Sequence, residues 1–154
     1  MLYIPRAMRT ATRFRVITLK LFDTYGPSDF RPKLVTLLNN AAMNNQPLSM
    51  SPGEQLIDLV HIDDVIHAYL IAANSLLANE VSSHERYVVS SGHPITLKKL
   101  IQLYMTATGR NIQINWGARP YRFREVMNTW RDGLLINGWQ PTITLNEGFK
   151  SLDS

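Results

Sequence analysis

Aspartate and histidine side chains that could bind a metal ion or move a proton lie close together near the middle of the chain. Asp58 and His61 are three residues apart, and Asp63 and Asp64 follow directly. Imidazole and carboxylate groups at this spacing are typical metal ligands. The same residues also fit a junction between a strand and a helix, where aspartates cap the free backbone amides and favour the helix dipole. No further ligand spacing accompanies the cluster, so we predict no metal site.

The arginines are concentrated in two segments, residues 6–15 and residues 119–131. The chain has 16 Lys and Arg against 12 Asp and Glu, a formal net charge of +4. Such an excess suggests nucleic acid, but neither segment has the Gly-aromatic pattern of an RNA-binding sheet or a helix-turn-helix pattern. We therefore predict that a small basic patch serves an anionic small molecule and that nucleic acid is not a partner.

Length and composition describe an ordered globular chain. The 154 residues are enough for one domain, residues 1–154, or for part of a larger one. Hydrophobic residues make up 45% and charged residues 18%, which excludes a disordered chain. The absence of cysteine excludes disulfides and fits a reducing compartment. No apolar run approaches the roughly 20 residues of a membrane span, and no signal peptide is recognisable, so we expect a cytoplasmic protein without a membrane partner.

Hydrophobic periodicity predicts alternating strands and helices. The predicted helices are residues 1–14, 32–44, 65–77, 97–108 with Thr96 as N-cap and Gly109 after the end, and a last one that a capping box opens at Thr144. The predicted strands are residues 15–21, 48–50, 56–62, 86–90 and 112–116. This alternation predicts an α/β fold with a largely parallel sheet. Because residues 65–77 are apolar at nearly every position, we expect that helix to be covered on most of its surface.

Three segments resemble one known family. Residues 19–27, Leu-Lys-Leu-Phe-Asp-Thr-Tyr-Gly-Pro, resemble the Leu-Arg-x-x-Asn-x-Tyr-Gly-Pro segment of extended short-chain dehydrogenase/reductases that act on nucleotide sugars. Residues 58–64, Asp-Leu-Val-His-Ile-Asp-Asp, are similar to that family's Asp-Phe-(Ile/Val)-His-Val-Asp-Asp, and residues 135–148 resemble its Leu-Gly-Trp-x-Pro and Leu-x-Glu-Gly pair. Three ordered matches are more specific than one motif. The sequence at residues 51–58 and 122–127 is most similar to that of CDP-linked deoxysugar reductases of the CDP-abequose synthase type.

The resemblance implies the C-terminal half of a Rossmann-type enzyme, with a few sheet strands and a small helical substrate-binding subdomain. In the family, an N-terminal half binds NAD(P) on a Gly-x-x-Gly-x-x-Gly loop, whereas the eight glycines of this chain are isolated from one another. The family's catalytic Tyr-x-x-x-Lys is also missing, since Tyr3 is followed four residues later by Ala7. We expect a fragment that binds a sugar nucleotide, binds no NAD(P) alone and transfers no hydride.

The alternative that the sequence leaves open is a non-catalytic pseudoenzyme that acts as an interaction module. If the family's N-terminal half normally covers one side of this part, its docking surface would be an exposed apolar patch. That patch predicts self-association of this chain.

The resemblance also assigns candidate substrate contacts. Arg122 and Arg124 lie where the family uses an arginine to hold the nucleotide diphosphate, although a solvated loop would explain them too. Asp23 stands at the position of a substrate-contacting asparagine, and a turn-capping role is the alternative. Lys33 and Leu34 border the family's nucleotide-base pocket.

One position departs from the family's pattern in a way that affects binding. Ile57 replaces an arginine that in the family meets the nucleotide phosphates. This removes a charge-assisted contact. A nucleotide sugar remains the predicted small-molecule partner, and it would depend on the other basic residues.

Overall fold

A computed structural model describes residues 14–153, so the basic helix predicted at the N-terminus lies outside the described residues. The helices are α1 (Leu34–Met43), α2 (Ile62–Leu77), α3 (Leu97–Thr108) and α4 (Leu145–Lys150). The strands are β1 (Val16–Leu21), β2 (Asp23–Tyr25), β3 (Leu48–Ser49), β4 (Leu56–Ile57), β5 (Leu59–His61), β6 (His84–Val89), β7 (Ile95–Thr96) and β8 (Ile114–Asn115).

Parallel pairing dominates the strands, as the alternation of strands and helices predicts. β1 pairs with β6 in parallel from Val16 opposite His84 to Leu21 opposite Val89. The pairs β2–β5 and β3–β8 are also parallel, and β4–β7 is antiparallel. The predicted α/β class is therefore confirmed, with the strands in short pairs.

The chain changes partner between β1 and β2. The backbone N–H of Phe22 donates to the carbonyl of Val89 at 3.2 Å, and from Asp23 onward the chain pairs with β5 instead of β6. β2 and β5 then end together at Tyr25 and His61. Ligands of open α/β sheets bind outside the carboxyl ends of the strands. This edge is therefore the place to look for a site.

Two apolar clusters hold the elements together. One joins α1, α3 and α4 to β2 and β5, and its largest fully buried side chains are Tyr104 and Phe149. Their rings meet edge to face with centroids 5.4 Å apart, a favoured aromatic geometry. The other packs α2 and Trp139 against β1, β5 and β6. The first cluster positions the helices that border the carboxyl edge of β2.

The prediction that the helix at residues 65–77 is covered on most of its surface is wrong for the part of the chain that the structure describes. α2 buries Val65, Ala68 and Ala72, and the small alanines let it approach the strands closely. Its opposite face is open, with Leu70 58% and Leu77 80% exposed. None of the helices between residues 14 and 153, α2 with its 16 residues included, has the length and hydropathy that crossing a bilayer requires.

Helix ends follow the sequence signals in α3 and α4 and depart from them in α2. Thr96 caps α3, and Gly109 ends it with φ 68°, a left-handed conformation that glycine adopts without strain. Thr144 and Glu147 form the predicted capping box. In α2 the cap is His61, whose Nδ1 accepts from the N–H of Asp63 at 3.3 Å. The aspartates expected to cap α2 lie inside its first turn.

Candidate functional site

A cavity of about 690 Å³ opens at the carboxyl end of β2. Its walls come from the loop after β2, the open side of α1, β3, and a loop at residues 119–125. Its floor is apolar, formed by Leu34, Ile57, Leu59 and Leu97. Strand alternation explains the floor, because Ile57 and Leu59 point into the cavity while Asp58 between them lines a separate recess. The cavity thus has an apolar base suited to a flat or apolar group.

Basic side chains without a carboxylate partner stand along the cavity. Arg119 and Arg122 line it, and within the described part of the chain neither guanidinium makes a hydrogen bond or ion pair. Lys33 adds a third positive charge, and among residues 14–153 its Nζ has a single hydrogen-bond contact, at 3.5 Å to Oγ1 of Thr24. Guanidinium groups present a planar fork that fits phosphate and carboxylate oxygens. These charges therefore favour an anionic ligand.

The acidic side chains of the cavity offset only part of this charge. Asp29 accepts from Nε and Nη2 of Arg31, both at 2.7 Å. These hydrogen bonds lower the pKa of Asp29 to about 2, so the pair stays ionised and internally neutral. Asp23 lies exposed at the start of β2, and Glu125 lies at the opposite wall. Asp23 is placed to accept hydrogen bonds from the hydroxyl groups of a ligand.

Hydrogen bonds to two neighbouring segments hold the loop at residues 119–125 in place. The N–H of Arg119 donates to the carbonyl of Met50 at 3.1 Å, and the N–H of Glu54 donates to the hydroxyl of Tyr121 at 3.1 Å. Before the loop, Trp116 packs on Gly53, where an added Cβ would lie 2.5 Å from the indole ring. Gly53 has φ +82°, so both space and conformation require glycine. This anchoring sets the positions of the two arginines at the cavity.

The structure brings together most of the residues that the resemblance singled out. Asp23, Lys33, Leu34 and Arg122 all line the cavity. Arg124 is exposed and is not among the lining residues. Sequence reasoning missed the polar groups of α1 and of the turn before β4, which also line it: Thr36, Asn39, Asn40 and Gln55. The spacing of Thr36, Asn40 and Met43 along one helical face was the available signal.

The aspartate and histidine cluster is built into the fold. Asp58, 3% exposed, accepts from Oγ of Ser90 at 2.5 Å and from the N–H of Ser91 at 2.9 Å. Asp64 accepts from the backbone N–H groups of Thr142 and Ile143 at 3.0 and 3.1 Å. Asp58 thereby holds the segment that follows β6, and Asp64 holds the segment that precedes α4. Among residues 14–153, no three His, Asp or Glu side chains gather as metal ligands.

The N-terminus of α2 offers little to the pyrophosphate of a dinucleotide. Such a group rests on a glycine-rich turn between a strand and a helix, with the helix dipole favouring negative charge. In the described chain, the turn from β5 into α2 carries His61, Asp63 and Asp64 in place of glycines. Two carboxylates in the first turn repel a pyrophosphate. The residues at this turn therefore do not fit a dinucleotide.

Sequence comparison connects the chain to enzymes of nucleotide sugars. It is 31% identical over 126 residues to the CDP-abequose synthase of Yersinia pseudotuberculosis, covering 80% of this chain and 43% of that protein. It is 27% identical over 138 residues to the CDP-abequose synthase of Salmonella muenchen, covering 88% and 46%. The chain thus spans less than half the length of these curated relatives.

Structural comparison agrees with this relationship at the level of the fold. A UDP-glucose-4-epimerase from Stenotrophomonas maltophila, solved with bound NAD and formylated UDP-arabinopyranose, superposes with a TM-score of 0.78 at 17% identity. The match covers 94% of this chain and 48% of that one. At this identity the likeness establishes the fold alone. The family model described as "NAD dependent epimerase/dehydratase family" matches residues 2–89, more than half of the sequence. The chain therefore belongs to the NAD dependent epimerase/dehydratase family.

Proposed function

We propose that this chain binds a nucleotide sugar in the cavity, as the substrate-binding part of an NAD(P)-dependent nucleotide-sugar reductase, epimerase or dehydratase. The observation that carries the proposal is the combination of an apolar floor with unpaired cations beside it. A nucleotide sugar has the matching order of groups: a flat base, a doubly charged diphosphate and a polar hexose. The CDP-abequose synthases among the relatives support a role in deoxysugar biosynthesis.

Each predicted contact has a part in this binding mode. Arg122 and Lys33 neutralise the diphosphate, and Arg119, on the same wall, adds to that charge. Leu34 lies under the base. Asp23, where the chain passes from β1 into β2 beside the cavity, accepts hydrogen bonds from sugar hydroxyls. Arg124 stays a prediction, and because it lies outside the cavity it contributes only its charge at a distance.

We further propose that the chain alone binds no NAD(P) and transfers no hydride. The cofactor supplies the hydride chemistry of the family when it is bound. The turn into α2, with its two carboxylates, supports the view that this part of the fold handles the sugar nucleotide only. The absence of cysteine supports a reducing compartment, and we propose the cytoplasm.

Calorimetric titration of the full 154-residue chain with CDP-glucose and UDP-glucose tests the binding mode, with Arg122→Gln and Arg124→Gln as matched variants. Hydrogen bonds to charged groups contribute about 1.5–3 kcal/mol, so R122Q should weaken binding about tenfold or more. Arg124 lies two residues away on the same loop but outside the cavity, so R124Q should change affinity about twofold at most. Since the Arg122 guanidinium makes no hydrogen bond or ion pair within the described residues, thermal stability should not change.

Two results would contradict the proposal. One is the absence of saturable binding of either nucleotide sugar at millimolar concentration. The other is an equal loss of affinity in both variants, which would indicate a diffuse charge effect. Titration with NADH, followed by its fluorescence, checks the cofactor statement, and saturable NADH binding would overturn it.

A second function is favoured by one specific observation. The open face of α2 carries Ile66, Tyr69, Leu70 and Leu77, all at least half exposed. Contiguous apolar surface of this kind marks interaction sites. It supports a non-catalytic module that self-associates through α2. Sedimentation of the full chain over a range of concentrations separates this function from simple ligand binding.

A further inference from the structure

Asn39 lies at the boundary between the apolar core and the cavity. It belongs to α1, is partly buried and lines the cavity together with Thr36, Asn40 and Met43. Its side-chain amide has two chemically different ends, an oxygen that accepts and an NH₂ group that donates. Which end faces the cavity decides what the residue can recognise in a ligand.

Two donors from α3 and its C-terminal end fix the orientation of this amide. Nη1 of Arg110 donates to Oδ1 of Asn39 at 2.7 Å, and the hydroxyl of Tyr104 donates to the same oxygen. A guanidinium can only donate, so the amide atom that meets Arg110 has to be the oxygen. Tyr104 is fully buried and Arg110 also contacts its hydroxyl at 3.2 Å, so each of the three groups is hydrogen-bonded to the other two.

The NH₂ end of Asn39 is consequently left for a ligand. Within residues 14–153, Nδ2 of Asn39 has no hydrogen-bond partner. The buried side-chain atoms of this part that lack a partner are the hydroxyl of Tyr25 and Nε2 of His61, so Asn39 Nδ2 is reached by solvent. Across the cavity, the backbone of Met50 is already engaged, its N–H by Asn115 and its carbonyl by Arg119. On the α1 wall of the cavity, Asn39 therefore presents a donor of fixed orientation that no group among residues 14–153 uses.

We propose that Asn39 selects the nucleotide base by donating from Nδ2 to a carbonyl oxygen of that base. The inference rests on the proposed function and deepens it. Cytosine, uracil and guanine carry an exocyclic carbonyl oxygen, whereas the exocyclic group of adenine is an amine that donates. A fixed donor opposite that amine leaves two donors facing each other. The site accordingly takes nucleotides of carbonyl-bearing bases and disfavours adenine nucleotides.

Asn39→Asp tests this donor while keeping the contacts that orient it. A carboxylate retains an oxygen for Tyr104 and Arg110 but replaces the NH₂ donor with an acceptor. Asn40→Asp is the matched control, because Asn40 also lines the cavity and the variant adds the same charge. Titration with UDP and with ADP then gives the ratio of the two affinities, in which the common effect of the added charge cancels. Asn39→Ala serves as a second variant if N39D unfolds.

The expected result is a change of base preference in N39D alone. The wild-type chain and N40D should bind UDP more tightly than ADP, and N39D should lower the UDP-to-ADP ratio about fivefold or more. N39A should lower it without favouring ADP. If the UDP-to-ADP affinity ratio of N39D or N39A lies within about twofold of the N40D ratio, the inference about Asn39 is overturned while the proposed function stands. A wild-type chain that binds neither UDP nor ADP overturns the proposed function and this inference with it.

Discussion

Tyr25 carries a buried hydroxyl that has no hydrogen-bond partner in the described residues. Its ring is 3% exposed and packs against His61 and Phe149, with both centroid distances 5.3 Å. Burial, with the carboxylates of Asp64 and Glu147 nearby, raises the pKa of Tyr25, so the phenol stays neutral at ordinary pH. An unpaired buried hydroxyl costs stability, and Tyr25 is therefore held by packing.

Gly148→Ala should destabilise the chain by about 1–3 kcal/mol, because an added methyl overpacks this contact. A Cβ at Gly148 would lie 2.1 Å from the Tyr25 hydroxyl and 2.8 Å from its Cζ. Urea unfolding measures the loss, with Asn146→Ala on the exposed side of α4 as control. Tyr25→Phe removes the nearest clashing atom, so the double variant should recover part of the loss. Equal stability of G148A and N146A would show that Tyr25 can move aside.

At the level of elements, α4 depends on its first turn. Oε2 of Glu147 accepts from the N–H of Thr144 at 2.9 Å and from its hydroxyl at 2.7 Å. The hydroxyl of Thr144 in turn accepts from the N–H of Glu147 at 3.3 Å. The hydrogen bonds from Thr144 lower the pKa of Glu147 below its usual 4.5. Because folding lowers the pKa of Glu147, its ionised carboxylate stabilises the folded state above pH 4.5. This stabilisation is lost as the pH falls through the pKa that Glu147 has in the folded state.

Thr144→Val should cost about 1 kcal/mol at pH 7, the usual effect of removing an N-cap hydroxyl. The difference in unfolding free energy between T144V and the wild type should become smaller as the pH falls below 4.5. The reason is that protonation of Glu147 weakens the same capping box in the wild type. Urea unfolding at pH 7 and at low pH measures both values. In Glu147→Gln the box keeps an acceptor without titrating, so there the effect of T144V should not vary with pH. A constant difference in the wild-type background would contradict the role of Glu147.

Local sequence signals predicted those elements whose ends are set by neighbouring residues. Thr96 with Gly109 and Thr144 with Glu147 mark α3 and α4 because each cap joins residues at most a few positions apart along the chain. β2 and β7 were not foreseen, since both are short and are defined by their partners β5 and β4. The cap of α2 by His61 was also missed, because aspartate is the commoner capping residue.

The candidate site was predictable only as far as the resemblance reached. Asp23, Lys33, Leu34 and Arg122 follow from motif positions and lie on one cavity. The orientation of Asn39 could not be foreseen, because it depends on donors 65 and 71 residues away along the chain. Contacts at such separation exist only once α1 and α3 are packed.

At the scale of the whole molecule, the distribution of apolar surface differs between the two sides of α2. One side reaches the strands through Val65, Ala68 and Ala72, and the other presents Ile66, Tyr69 and Leu70. These exposed residues repeat at spacings of three and four, so they form one continuous stripe along the helix. Burying such a stripe contributes about 25 cal/mol per Å² of apolar area. Association of chains through α2 is the expected consequence.

The double variant Ile66→Ser with Leu70→Ser should shift the chain towards monomer. The wild-type chain should show a sedimentation coefficient that rises with concentration, and the double variant should lower that dependence because two large side chains leave the stripe. Phe123→Ser is the matched control, since Phe123 is 100% exposed and belongs to the loop at residues 119–125, not to α2. A wild-type chain that is monomeric at every concentration would contradict the interaction module. Dissociation by F123S in place of the α2 variant would locate the contact at the cavity, where it would compete with nucleotide binding.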